Sequence, residues 1–75
     1  MFKDRLKQLR KQNKLTQIEL AKIFNITQTA LSRLETGETV ATEEIIVKSS
    51  IFFNVSTDYL LCRTDIKNIY QYLKE

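Results

Sequence analysis

The segment from residue 16 to residue 37, TQIELAKIFNITQTALSRLETG, constrains the fold more than any other part of this chain. Its apolar residues recur at intervals of three and four, the spacing that places side chains on one face of an α-helix. Asn25 interrupts the pattern and Gly37 ends it, and both residue types tolerate the left-handed backbone conformation in which helices commonly stop. The segment therefore predicts two short helices, over 17–24 and 28–35, joined by a tight turn.

Hydroxyl residues indicate where the helices begin. Thr16 and Glu19 form a capping box, in which the Thr16 hydroxyl accepts from the backbone N–H of residue 19 and Glu19 accepts from the backbone N–H of Thr16. Thr27, Thr42 and Ser56 are the expected N-caps of a third helix, of a fourth helix and of a fifth helix over 57–61. The inward face expected for the fourth helix consists of Ile46, Val47, Ser50 and Phe53.

Helical spacing also extends to both ends of the chain. Phe2, Leu6 and Leu9 predict a first amphipathic helix over 2–13. A last amphipathic helix is predicted from residues at i, i+3, i+4 and i+7, namely Ile66, Ile69, Tyr70 and Leu73. With one Gly and no Pro in 75 residues, the chain is predicted to be all-α. We expect one small domain over 1–63 and a C-terminal amphipathic helix over 64–75.

Composition argues against several classes of protein. No apolar run approaches the roughly 20 residues that span a bilayer, and MFKDRLKQLR lacks the apolar core of a signal peptide. A single cysteine, Cys62, forms no internal disulfide, so we expect a cytoplasmic protein with this residue buried as a small apolar side chain. Without His, and with one Cys, the chain is expected to hold no metal and no cofactor.

Catalysis is not expected either. The chain has no His, no Gly-rich phosphate loop and no paired nucleophile and base. Its carboxylates at Glu43, Glu44, Asp58 and Asp65 are explained as helix caps and surface charges.

Charge is distributed unevenly along the chain. Residues 1–37 carry eight basic against three acidic residues, a balance of +5, and residues 38–75 carry four against six, a balance of −2. The basic half contains the predicted two-helix unit, as phosphate binding would require. For residues 3–14 alone, a solvated basic helix without a polyanionic partner is an equally good interpretation.

The outer face of the predicted third helix suits contact with DNA bases. Gln28 and Ser32 lie one turn apart, as do Thr29 and Arg33, on the side opposite the apolar residues. Gln pairs with adenine N6 and N7, Arg pairs with guanine O6 and N7, and the methyl of Thr27 or Thr29 can contact thymine. Taken singly, each of these residues is better explained as an ordinary polar residue on a solvated face, and only the whole set is more specific.

Two motifs, LTQIELAKIFNITQTALSRLETG and FNVSTDYLL, together resemble the helix-turn-helix domain of the phage repressor and Cro type, also called the XRE family. The resemblance covers residues 3 to about 61. It implies a lambda-repressor-like fold of five helices, with the third in the major groove of double-stranded DNA. It also implies a sequence-specific transcriptional regulator, expected to be a repressor of phage or mobile-element type or an antitoxin, encoded by a bacterium or phage.

The resemblance assigns roles to individual residues. Base reading falls to Gln28, Thr29, Ser32 and Arg33. Contacts to the DNA backbone fall to Arg10, Thr16, Gln17, Thr27, Thr36 and Thr39. Arg10 and Glu35 match a family ion pair that joins the first helix to the end of the third. The family often has basic residues and a proline after the glycine, whereas residues 38–43 here contain no Lys, Arg or Pro. We therefore expect weaker and less salt-sensitive DNA binding than for members with a basic loop.

Family members usually bind two-fold operators as dimers, so we expect a homodimer. The residues predicted for its interface are Ile45, Ile51, Phe52, Ile66, Ile69, Tyr70 and Leu73. In the alternative interpretation, the last helix packs on its own domain. A toxin or antirepressor protein is a further expected partner. The alternative function is a protein-interaction module that keeps this fold without specific DNA binding.

Overall fold

A computed structural model describes residues 2–65 of the chain, and within this range it contains five helices and no strand. The helices are α1 (Phe2–Gln12), α2 (Gln17–Phe24), α3 (Gln28–Thr36), α4 (Glu43–Phe53) and α5 (Thr57–Leu60). The predicted helices at 2–13, 28–35 and 57–61 each differ from these bounds by one residue at the C-terminal end. The predicted last helix, with Ile66, Ile69, Tyr70 and Leu73, lies outside the described residues.

The N-caps predicted from the sequence are confirmed. Thr16 is extended, its hydroxyl accepts from the Glu19 N–H at 3.1 Å, and the Glu19 carboxylate accepts from the Thr16 N–H at 2.9 Å. Hydroxyl oxygens of Thr27, Thr42 and Ser56 accept from the third residue beyond each cap at 3.1, 3.3 and 3.0 Å. These bonds satisfy backbone donors that the first turn of a helix leaves without partners.

Three helices end in the left-handed conformation. The C-caps of α2, α3 and α4 are Asn25, Gly37 and Asn54, with φ angles of 58°, 85° and 54°. Asn25 also fixes the turn of the two-helix unit, because the Ile26 N–H that follows it donates to the Ala21 carbonyl at 2.9 Å. The predicted stops at Asn25 and Gly37 are therefore confirmed.

The apolar interior is divided between two clusters. The larger one packs α1, α2 and α3 together through residues that include Leu6, Phe24 and Leu31, and it also takes in Ile45 from α4. The smaller one joins α1 to α5 through Leu9, Val55, Tyr59 and Leu60. Because α1 contributes to both clusters, it connects the two-helix unit to the rest of the domain. Within residues 2–65, none of the helices is long and apolar enough to cross a membrane.

The predicted inward face of α4 is confirmed in part, because Ile46 and Phe53 pack against the clusters and Ser50 is half-buried. Ile45 and Ser49 are the buried residues of this helix, whereas Val47 is 43% exposed. Ile45 packs into the larger cluster, and the Ser49 hydroxyl donates to the Ile45 carbonyl at 2.7 Å, which satisfies a polar group with no exposure. The prediction that Ile45 is surplus to the core and available to a dimer interface is therefore wrong. Ile51 and Phe52 are exposed, as that prediction requires.

Cys62 was predicted to be buried, and this too is wrong. The residue follows α5 in the left-handed conformation, with φ 61°, and its thiol is exposed. Arg5 donates from Nε to Sγ at 3.4 Å, and this hydrogen bond lowers the pKa of the Cys62 thiol. The side chain therefore belongs to a surface contact between α1 and the end of α5 rather than to the core.

Candidate nucleic-acid interface

The two sides of α3 have different environments. Leu31, Leu34 and Glu35 are buried against the rest of the domain, and Ala21 of α2 is small and buried where the two helices approach each other. Gln28, Thr29 and Arg33 are exposed on the other side, and Ser32 is half-buried between them. The apolar side of α3 thus holds the helix in place while its polar side faces solvent.

The structure brings the four predicted base-reading residues together at one surface. They border a shallow depression of about 330 Å³. Its lining residues are Gln17, Gln28, Thr29, Ser32, Arg33, Thr36 and Glu38. Two predicted backbone-contacting residues, Gln17 and Thr36, lie at the same depression. Thr39 instead lines a neighbouring groove of about 420 Å³ between the end of α3 and the start of α4.

Glu38 was not anticipated by the sequence reasoning. Its Oε2 lies 3.6 Å from Nε of Arg33, which places a negative charge beside the only cation that lines the depression among residues 2–65. A signal was present in the sequence, because an acidic residue directly follows the Gly37 stop where basic residues were expected. Its proximity to Arg33 follows from the left-handed C-cap, which turns the chain back toward the last turn of α3.

The ion pair predicted between Arg10 and Glu35 is confirmed and is largely buried. Arg10 donates from Nε to Oε2 at 2.7 Å and from Nη2 to Oε1 at 3.0 Å, and the two side chains are 11% and 2% exposed. Nη1 of Arg10 donates to the Leu15 carbonyl at 2.9 Å. All three nitrogens of this guanidinium thus have internal partners, so the structure gives Arg10 a scaffolding role. A contact from Arg10 to the DNA backbone stays a prediction.

Gln17 connects this ion pair to the surface. Its amide nitrogen donates to Oε1 of Glu35 at 3.2 Å, so one carboxylate joins residues from α1, α2 and α3. The bond leaves the amide oxygen and one N–H of Gln17 at the edge of the depression. The first turn of α2, where a phosphate would bind, is therefore attached directly to the helix that would read bases.

The remaining predicted backbone contacts are hydroxyl residues with local hydrogen bonds. Thr16 and Thr27 are exposed and use their hydroxyl oxygens as N-caps. The Thr16 hydroxyl also bonds the Glu19 carboxylate, whereas the hydroxyl hydrogen of Thr27 is left for another acceptor. Thr36 donates to the Arg33 carbonyl at 3.2 Å, which leaves its oxygen as an acceptor only. Thr27 is therefore better suited than Thr36 to donate to a phosphate, and Thr16 would donate to one only in place of Glu19. Among residues 2–65, no group of His, Cys, Asp and Glu side chains could hold a metal ion.

The chain matches the family model described as helix-turn-helix over residues 6–60. It is 33% identical to the HTH-type transcriptional activator BcrR of Enterococcus faecalis, over 96% of this chain and 41% of that protein. It is 35% identical to the uncharacterized HTH-type transcriptional regulator YqaE of Bacillus subtilis (strain 168), over 95% of this chain and 61% of that protein. The chain thus spans less than two thirds of either relative.

A solved structure has the same fold. The P22 c2 repressor, crystallised in complex with synthetic operator 9T in the presence of Tl⁺, superposes with a TM-score of 0.73 at 30% identity. The match covers 80% of this chain and 91% of the repressor chain. The family model runs from within α1 to the end of α5 and includes the residues of the candidate interface. The chain belongs to the helix-turn-helix family, and its fold is that of the phage-repressor type.

Proposed function

We propose that this chain is a sequence-specific, double-stranded DNA-binding transcriptional regulator that reads the major groove with α3. The proposal rests on one observation, which is that α3 has a buried side and an exposed polar side. The buried side fixes the helix against α1 and α2, and the exposed side carries Gln28, Thr29 and Arg33. These side chains offer the donors and acceptors that distinguish base pairs in the major groove.

Backbone contacts would set the position of α3 on the duplex. The first turn of α2 offers backbone N–H groups, the favourable end of a helix dipole and the Gln17 amide, all of which suit a phosphate. The Thr27 hydroxyl adds an uncharged donor, and the Thr16 hydroxyl adds a second where a phosphate replaces Glu19 as its acceptor. We propose that these groups bind the DNA backbone, and that the absence of basic residues over 38–43 makes the affinity less dependent on salt than in relatives with a basic loop.

We further propose that the regulator acts as a repressor and binds a two-fold operator as a homodimer. Similarity to the P22 c2 repressor, matched over 91% of its chain, favours repression over the activation suggested by BcrR, which is matched over 41%. Ile51 and Phe52, exposed apolar residues near the end of α4, support a dimer surface. A dimer would place its two α3 helices in major grooves about one helical turn apart, roughly 34–36 Å. As part of the same proposal, the protein acts in the cytoplasm and catalyses no reaction. A toxin or antirepressor protein is its further partner.

Selection of bound sequences from a random duplex pool tests this function directly. The expected result is one enriched motif that is two-fold symmetric with half-sites about one turn apart. Failure to enrich any motif at near-physiological salt, together with a tight protein partner recovered by pulldown, would favour the alternative of a protein-interaction module.

Replacement of Arg33 tests the base-reading role within that function. We expect Arg33→Ala to cost about 1–3 kcal/mol of binding free energy on the selected site and to relax preference at one base pair. Arg63→Ala is a matched control, because Arg63 is also an exposed arginine and pairs with Asp58 at 3.7 Å. Titrations of both variants on the selected site and on random DNA measure the difference. Equal losses for Arg33→Ala on the two DNAs would remove Arg33 from the base-reading set.

A further inference from the structure

The outer face of α3 carries a paired arginine rather than a free one. Oε2 of Glu38 lies 3.6 Å from Nε of Arg33, and the two side chains are 67% and 58% exposed. Both residues border the depression that also holds Gln28 and Thr29. An acidic side chain at a DNA-binding surface lowers the sequence-independent affinity for DNA. Its role there is therefore not to attract the DNA backbone.

The backbone holds these two residues together independently of their side chains. Gly37 adopts φ 85° and donates its N–H to the Arg33 carbonyl, and the Glu38 N–H donates to the same carbonyl at 3.0 Å. The Thr36 hydroxyl donates to it as well, at 3.2 Å. The Cα atom of Glu38 is therefore fixed relative to α3, at a position from which its carboxylate reaches Arg33.

We propose that Glu38 is a specificity-determining residue that positions Arg33 for guanine and disfavours its use as a general phosphate contact. The inference rests on the proposed function. The Glu38 carboxylate attracts the Nε side of the guanidinium across 3.6 Å, without a hydrogen bond, and leaves its two terminal nitrogens for O6 and N7 of one guanine. The same carboxylate repels a phosphate that approaches Arg33, whereas the base edge carries no net charge.

The strength of the pair bounds the size of the effect. Exposed ion pairs contribute little free energy, so we expect a change of about two- to fivefold rather than an all-or-none effect. Glu38→Gln should lower the preference for guanine at the base pair that Arg33 reads by about two- to fivefold, and raise the affinity for random DNA by a similar factor. The ratio of specific to non-specific affinity should fall accordingly.

The experiment compares four proteins on the sequence selected by the wild type, on the same sequence with the guanine replaced, and on random duplex DNA. The proteins are the wild type, Glu38→Gln, Arg33→Ala and the double variant, each titrated at several salt concentrations. Asp58→Asn serves as the matched control, because Asp58 is an exposed carboxylate paired with an arginine at 3.7 Å on α5. It removes the same charge without touching Arg33, and should leave the guanine preference unchanged.

The possible outcomes distinguish a failure of this inference from a failure of the proposed DNA-binding function. The inference is supported if Glu38→Gln lowers the guanine preference of the wild type about two- to fivefold and has no such effect in a protein that already carries Arg33→Ala. Equal increases in affinity for all three DNAs in Glu38→Gln would overturn it, because Glu38 would then only repel DNA in general. A wild-type motif without guanine at the base pair that Arg33 reads would also overturn it and leave the proposed function intact. If the wild type selects no motif at all, the proposed function fails and the inference fails with it.

Discussion

At the scale of single residues, Glu35 carries the most demanding interaction of the domain. Its carboxylate is almost inaccessible to water and accepts hydrogen bonds from Arg10 and Gln17. A charge removed from water is tolerated only where partners replace its hydration. The carboxylate therefore makes the stability of the fold depend on two residues that precede it in the chain by 25 and 18 positions.

Removal of the partner cation should expose this dependence. We expect Arg10→Ala to lower the free energy of unfolding by about 3–5 kcal/mol, because it leaves Glu35 buried without its cation. Urea denaturation followed by circular dichroism measures the change. Arg63→Ala, at an exposed arginine, should stay within about 0.5 kcal/mol of the wild type. Similar small losses for both variants would contradict the assignment of Arg10 and Glu35 as the buried pair.

At the scale of helices and turns, the capping box at the start of α2 has a pH dependence that follows from its hydrogen bonds. The backbone N–H of Thr16, followed by its hydroxyl, lowers the pKa of Glu19 below the ordinary value of 4.5. A carboxylate with a lowered pKa in the folded state stabilises that state at pH values above 4.5. The stabilisation is lost as the pH falls through the folded-state pKa.

Glu19→Ala should therefore lower the melting temperature at pH 7, and the difference from the wild type should shrink at pH 3. Glu19→Gln is the matched control, because it keeps an acceptor at this position without the charge. Its melting temperature should fall between the other two at pH 7, and its difference from Glu19→Ala should not change with pH. Thermal unfolding at both pH values checks this. A gap between wild type and Glu19→Ala that is as wide at pH 3 as at pH 7 would exclude an ionised Glu19 as its source.

Local signals predicted the helices well because their determinants lie within a few residues. The Thr16 capping box and the Asn25 and Gly37 stops each act over one turn of chain, so the sequence contains all that is needed to place them. The orientation of α4, in contrast, depends on residues that are distant in the sequence. The run EEIIVKSSIFF contains adjacent apolar residues, so several inward faces fit its spacing, and only packing against two separate clusters selects Ile45 and Ser49.

The candidate site shows the same division between local and long-range determinants. The outward set on α3 follows from helical spacing, and the structure places its members together as expected. Glu38 and Cys62 depend instead on where a left-handed residue redirects the chain and on which arginine lies nearby. Spacing along the sequence carries no information about such contacts.

At the scale of the whole molecule, the described domain presents different surfaces in its two halves. The polar outer side of α3 belongs to the half rich in Lys and Arg, whereas Ile51 and Phe52 lie in the half with a balance of −2. Exposed apolar side chains are well suited to self-association, since their burial removes apolar surface from water. A dimer formed there would leave α3 of each copy free for DNA.

Substitution at Ile51 tests this arrangement. Ile51 is 75% exposed, so Ile51→Ser should leave the stability of the monomer nearly unchanged. If Ile51 lies in the dimer interface, the variant should bind the two-half-site operator about tenfold more weakly, because truncation of such an interface residue costs more than about 1 kcal/mol. Its affinity for a single half-site should be unchanged. Ile23→Ser, at a 45% exposed residue in the last turn of α2, is the control for loss of an exposed apolar side chain. Equal behaviour of the two variants on both DNAs would place the interface elsewhere.

Substitutions can accumulate on the outer side of α3 with little effect on folding, because the residues that hold the helix occupy its opposite side. Leu31, Leu34 and Glu35 must stay, whereas Gln28, Thr29 and Arg33 contribute little to the interior. Lineages descended from such a chain can therefore acquire new target sites through a few surface changes and remain folded at every step. This freedom helps explain how one compact scaffold could diversify into many regulators that ignore one another's sites.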